Sequence, residues 1–195
     1  MNNHHMKSDI PDEVVEKWEA QYGRPVVWEH YQPISSYDYD GIKSSQKGGR
    51  AHDITLYIEN RGRIAVIAKP IYPPGMFRAP SGGLHTGESL EVGALREAHE
   101  ETGLRIELGR YLLRAHVVFD DCGREIHWWT HVFSATTRDE LIAPIDTHEI
   151  REARWAAPSE FAQFSAMMIK ADRGGLRYRA ALHTQISLIH PSFKS

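Results

Sequence analysis

The spacing of apolar and polar positions divides the chain into an N-terminal segment and a longer stretch of compact elements. Asp9-Ile10-Pro11-Asp12-Glu13 reads as a helix start, with Pro11 in the first turn, where a missing N–H costs nothing, and Gly23 stopping the helix after Tyr22. Val26-Val27-Trp28 reads as a strand. Residues 35–50 are polar and hold Gly41, Gly48 and Gly49, which predicts a mobile loop. From His52 onward the apolar runs at 54–58 and 64–68 predict two strands, joined through the hairpin turn Asn60-Arg61-Gly62-Arg63. Pro73, Pro74 and Gly75 break the pattern. Residues 89–102 predict a helix with Gly103 as its C-cap. Strands at 111–119 and 126–135 flank a turn at 120–123, and 154–156 makes a last short strand. Two helices follow, at 159–170 and 176–189, the second halted by Pro191. This irregular alternation, with hairpins beside one or two crossovers, predicts an α/β (α+β) fold: a mixed sheet covered by helices, not a regular doubly wound one.

Composition changes that picture little. The 195 residues are 41% hydrophobic and 25% charged, enough for one domain with modest extensions. The expected division is an N-terminal extension and loop at 1–50 and a domain with C-terminal helices at 51–195. A net charge of −3 argues against a basic nucleic-acid surface but leaves small anions open as ligands. The single cysteine, Cys122, forms no intrachain disulfide and points to a reducing, cytoplasmic setting. The first nine residues carry no apolar stretch expected of a signal peptide, and no run approaches a membrane span. His4 and His5 carry no assigned function.

Chemistry concentrates between Gly82 and Leu104. Glu88 follows Gly82 after five residues, and seven more lead to Arg96-Glu97-Ala98-His99-Glu100-Glu101-Thr102-Gly103-Leu104. At about 100° per residue, Glu100 and Glu101 fall roughly 60° to one side of Glu97 and 40° to the other. Three carboxylates that close repel unless a cation sits among them, and hard oxygen ligands suit Mg²⁺ or Mn²⁺. Leu90, Ala94, Leu95 and Ala98 make the opposite side apolar, and Gly93 predicts close packing at a cost of about 1 kcal/mol in helix propensity. A glutamate-rich face alone is ordinarily a wetted surface, and a Gly-Gly pair an ordinary turn. The seven fixed residue types at these spacings are another matter, arising by chance in fewer than about one window in ten million.

The segment resembles the Nudix box, G-x5-E-x7-R-E-U-x-E-E-x-G-U with U aliphatic, with Ala98 a small choice for the first U position. The box covers 23 residues, and the flanking strand order extends the likeness to about 52–170. The resemblance implies an α/β/α sandwich around a mixed sheet and a hydrolase that cleaves a phosphoanhydride bond, acting on a nucleoside diphosphate linked to another moiety. It implies that Glu97, Glu100 and Glu101 bind Mg²⁺, with Mn²⁺ an alternative, and that a carbonyl near Ser81 or Gly82 completes the shell. It further implies that Arg96 orients Glu88, that Gly82, Glu88 and Gly103 frame the box, and that an acid outside it, Glu149 or else Glu152, joins catalysis. The proton acceptor stays open between a box glutamate such as Glu100 and Glu149.

Outside the box, Arg78 is a candidate phosphate contact. Trp128 and Trp129 lie on opposite faces of a strand, where either could stack on a base or simply fill core. Zinc at His127 and His131 lacks further ligands at suitable spacing. Trp18, Tyr22 and Trp28 suggest that the N-terminal segment packs on the domain or across a homodimer, with a lid over the substrate as a further option. Markers for ADP-ribose, diadenosine polyphosphate and NADH substrates are missing or misplaced. Two other classes stand beside the hydrolase: a non-hydrolytic enzyme on the same fold, for which Cys122 is poorly placed, and a nucleotide sensor, which predicts a degraded box. The partners expected are a small nucleotide-type substrate, no nucleic acid and no membrane.

Overall fold

The computed structural model describes residues 10–46, 50–85 and 87–193. Asp9, Gly48, Gly49 and the His4-His5 pair lie outside them. The first helix, α1 (Asp12–Tyr22), is preceded by Pro11 and stopped at Gly23, whose φ of 87° suits a residue without a Cβ. Strand β1 (Val26–Pro33) runs longer than its apolar start and pairs in parallel with the long strand β5 (Glu107–Asp121), from Val26 opposite Leu113 to Pro33 opposite Asp120.

The loop expected at 35–50 is corrected by a helix, α2 (Ser36–Ser45). Ser35 caps it, accepting a bond from the Asp38 N–H at 3.1 Å. Asp38 in turn accepts from Arg173 and from the Gly174 N–H, which fastens the helix to the end of the chain. Those bonds and the packing of Tyr39 and Ile42 outweigh the roughly 1 kcal/mol that Gly41 costs.

Strands β2 (His52–Asn60) and β3 (Arg63–Ala68) form a hairpin over Arg61 and Gly62, both at positive φ as a mirror-image two-residue turn requires. The two-residue strand β4 (Ser81–Gly82) pairs with β2, setting Gly82 opposite Ile54. Helix α3 (Leu90–Thr102) begins at the Ser89 cap and ends at Gly103 in the left-handed conformation. Strands β5 and β6 (Arg124–Thr136) form the longest hairpin, β7 (Glu152–Ala156) is short, and α4 (Glu160–Lys170) and α5 (Gly174–Ile189) lead to a 3-10 turn at Pro191–Phe193.

The strand order is β1-β5-β6-β2-β3-β7, with β4 beside β2, and parallel and antiparallel pairings are mixed. Helices α1 and α3 cover one face, burying Val15, Trp18, Leu90, Ala94 and Ala98 on Leu56, Ile58 and Phe133. Helices α2, α4 and α5 cover the other, where Phe161, Phe164, Met168 and Tyr178 meet Tyr57, Val66 and Val117. This is an α/β/α sandwich. Among the described residues, no helix is long and apolar enough to cross a membrane.

Candidate active site

Helix α3 carries its charge on the side that meets β4. Gly82 is the closest seat: a Cβ there would lie 1.8 Å from the Glu97 carboxyl carbon, so the strand and the carboxylate touch only because residue 82 has no side chain. Gly93 has a matching reason, with a Cβ falling 2.3 Å from the Leu84 side chain.

Arg96 is the hub. Its Nε and Nη2 donate to the two Glu88 oxygens, each at 2.9 Å, a bidentate fork that fixes the loop before α3. Its Nη1 donates to Glu97 at 2.8 Å and Glu100 at 2.9 Å, and Nη2 also reaches the Gly83 carbonyl. These bonds, with the His85 N–H, hold Glu88 near pKa 2.

Glu97 differs. Burial raises it above the usual carboxylate range, Arg96 opposes that, and the neighbouring Glu100 adds to it. Glu101 is pushed to about 7 by burial, only partly offset by the Arg78 guanidinium at 3.6 Å, and it accepts the Ser81 N–H at 2.7 Å. Glu100 is half-exposed. Two of the three helix carboxylates thus carry more negative charge than their surroundings neutralise. That imbalance, on hard oxygen donors beside a glycine that lets Glu97 lie against the strand, fits a divalent cation. Among the described residues no three His, Cys, Asp or Glu side chains already converge as a ligand set; Arg96 and Arg78 hold the carboxylates.

A cleft of about 1290 Å³ opens beside the box, with α1 as one wall and Glu88, Lys69 and Glu149 along the other side. Glu149 is exposed there and accepts from Lys69 Nζ at 3.0 Å, whereas Glu152 begins β7 and pairs with Ala68.

Other candidates take different places. Arg78, the candidate phosphate contact, is instead buried, donating to Ala79 O and Ser81 Oγ and facing Glu101. The reason is its pairing with β3: Arg78 exchanges backbone bonds with Ile67, and its side chain lies inward on Glu101. Trp128 is core on the α5 side and donates to Asp53, and Trp129 lies on the opposite face, stacked on His116 and beneath Arg114, each 4.5 Å away. Both tryptophans therefore have partners inside the fold. Trp18 packs edge-on against Tyr111, His131 and Phe133 of its own chain, and Tyr22 donates to Glu91 of α3.

Residues that sequence reasoning passed over also face the site. In the sequence Lys69 merely follows the strand at 64–68, and Arg50 ends the polar stretch 35–50. Arg50 lies across Gly83, with its guanidinium 5.5 Å from the Trp128 ring centre. The second glycine of the Gly82-Gly83 pair, which the box does not require, was the one signal for it.

Comparison with known proteins places these features. Residues 49–176 match the NUDIX domain family. An RNA pyrophosphohydrolase of Erythrobacter litoralis is 31% identical, covering 64% of this chain and 83% of that protein. A putative 8-oxo-dGTP diphosphatase 3 of Mycobacterium tuberculosis is 35% identical over 45% of this chain but only 40% of that protein. An uncharacterised Nudix hydrolase of Pseudomonas aeruginosa is 30% identical, covering 68% and 78%.

Proposed function

Because this chain belongs to the Nudix family, matching its domain across residues 49–176, we propose that it hydrolyses a phosphoanhydride bond in a nucleoside diphosphate linked to another moiety, using Mg²⁺ or Mn²⁺. The observation that carries the reading is the under-neutralised pair Glu97 and Glu101 beside Gly82, tied through Arg96 to Glu88, which lines a cleft large enough for a nucleotide.

Glu97, Glu100 and Glu101 would hold the metal. When bound, it neutralises the diphosphate and lowers the pKa of a water. The chain's own residues do the rest. Arg96 keeps Glu97 and Glu100 in place through Nη1 and locks the loop through Glu88, so the carboxylates meet the ligand already oriented. Gly82 leaves Glu97 room beside the strand. A carboxylate takes the proton of the attacking water; half-exposed Glu100 and cleft-lining Glu149 are the two candidates for that acceptor.

A second reading is favoured by the Erythrobacter relative, whose name makes it an RNA pyrophosphohydrolase. There the same bond would sit at the phosphorylated end of an RNA, although the net charge of −3 offers no general attraction to a polyanion.

Both readings meet one experiment: a phosphate- and pyrophosphate-release screen with Mg²⁺ and Mn²⁺ over nucleoside triphosphates, dinucleotides, nucleotide sugars, ADP-ribose and 5′-triphosphorylated RNA. Turnover on a small nucleotide and little on RNA supports the first. Glu100→Gln should abolish turnover with the fold intact, since the residue faces out of the core; near-native rates at saturating Mg²⁺ would remove Glu100 from the mechanism.

A further inference from the structure

We infer that Arg50 is the seat for a phosphate of the substrate, held over the Gly83 backbone beside Glu97, and that Gly83 is a glycine in order to make room for it. The inference rests on the hydrolase reading for the kind of ligand, a nucleoside di- or polyphosphate, but not for the seat itself.

Three observations support it. First, Arg50 is uncommitted. Among the described residues it has no ion pair or hydrogen bond, and its Nε is buried without a partner. The other arginines near the box are spent, Arg96 on three glutamates and Arg78 on Glu101, Ser81 and Ala79. An arginine without an acidic partner beside a cleft is a group suited to recognise phosphate through its N–H donors.

Second, its place is built. A Cβ on Gly83 would fall 2.1 Å from Arg50 Nη1 and 2.9 Å from Cζ, so the guanidinium occupies the volume a side chain would fill. The guanidinium also lies over the Trp128 ring, 5.5 Å from its centre. The tryptophan is itself fixed by its bond to Asp53 at 3.1 Å. A cation held against a backbone and a ring has already given up part of the side-chain freedom that binding would otherwise remove.

Third, the seat adjoins the chemistry. Arg50 lines the large cleft together with Lys69 and Glu88, and its charge acts on the Glu97 carboxyl. A diphosphate bridging the box and the cleft would pass it.

Calorimetric titration with α,β-methylene-ADP, whose bridging methylene prevents hydrolysis, reads the seat apart from turnover. Arg50→Met should weaken binding roughly ten- to a hundredfold, as for loss of a charge-assisted bond, and Arg50→Lys by less. Gly83→Ala keeps every charge, and no left-handed φ forbids alanine there; it should displace the guanidinium and weaken binding by about tenfold with an unchanged melting temperature. The double variant should bind no more weakly than Arg50→Met alone, since both changes remove one contact. Native affinity in Arg50→Met, additive losses in the double variant, or no binding by the native protein would each overturn the inference. A native protein that binds the probe yet hydrolyses nothing in the release screen would retire the hydrolase reading and leave the phosphate seat standing.

Discussion

Two buried carboxylates on opposite faces of the sheet show how differently one residue class can be used. Asp53, on the α5 side, accepts from Trp128 at 3.1 Å and Thr130 at 2.6 Å and pairs with Arg179. Burial pushes its pKa up, yet these partners overcome it and hold the acid below its ordinary value. Glu101, on the α3 side, is as thoroughly enclosed but has one backbone N–H and an arginine at 3.6 Å, and it stays near 7. The first site is closed: its charge is matched and nothing further is needed. The second is short of positive charge. A fold tolerates such a shortage where a ligand completes the site, so the mismatch itself separates a functional carboxylate from a structural one.

Glu97→Gln, on the short side, tests this most severely. It removes an oxygen ligand and should lower kcat by about a thousandfold, some 4 kcal/mol of transition-state stabilisation. Its unfolding midpoint in metal-free buffer should not fall, because a raised carboxyl is replaced by a neutral group. Arg179→Met, on the closed side, should do the reverse. It strands Asp53 without its cation and should cost about 3–5 kcal/mol in urea unfolding, while turnover per folded molecule persists. If Arg179→Met abolished turnover at full folding, the two sites could not be distinguished as functional and structural.

What the chain order reveals follows the same division. The box and the α3 boundaries were legible because Gly82, Glu88, Arg96, Ser89 and Gly103 act over short separations, through caps, turns and helix spacing. The strands were legible where apolar runs were continuous. Helix α2 was not, because its main fastening is Asp38 to Arg173 and Gly174, more than a hundred residues away. The burial of Arg78 was not legible for a related reason: its backbone exchange with Ile67 and the buried Glu101 exist only once β3 and α3 are assembled. The role of Asp53 was equally hidden, since its partners come from β6 and α5.

The two faces should also respond to pH with opposite signs. Burial, with like charge from Glu97, raises Glu101 from the unfolded range near 4.3 to about 7. Without metal, the native state therefore binds more protons than the unfolded state between those values. The contribution is most favourable below about 4.3 and is lost as pH rises through 7, on the order of 3 kcal/mol. His183, beneath α5, is lowered to about 3 by burial and by the charges of Arg179 and Arg78. Its contribution is complete above about 6.5 and is lost as pH falls toward 3. Urea midpoints across pH in EDTA should show the loss above neutrality vanish in Glu101→Gln and the acid loss shrink in His183→Gln. A Glu101→Gln profile parallel to the native one would mean that Arg78 neutralises Glu101 fully, and the contrast with Asp53 would collapse.

The smallest effect belongs to a third kind of carboxylate. Glu149 is two-thirds exposed and its partner Lys69 about one-third, so their 3.0 Å contact competes with water at every moment. Lys69→Met should change stability at neutral pH by less than about 1 kcal/mol from that pair. Lys69 nonetheless also pulls the Glu101 carboxyl down. In the metal-free protein its removal should therefore shift the Glu101-dependent fall in stability to higher pH, while leaving the acid-side loss due to His183 where it was. A shift on both sides would trace to a general change in packing. A shift on the alkaline side alone would mean that this partly exposed lysine, nearly irrelevant as half of a surface pair, is part of the limited positive charge reaching the buried acid.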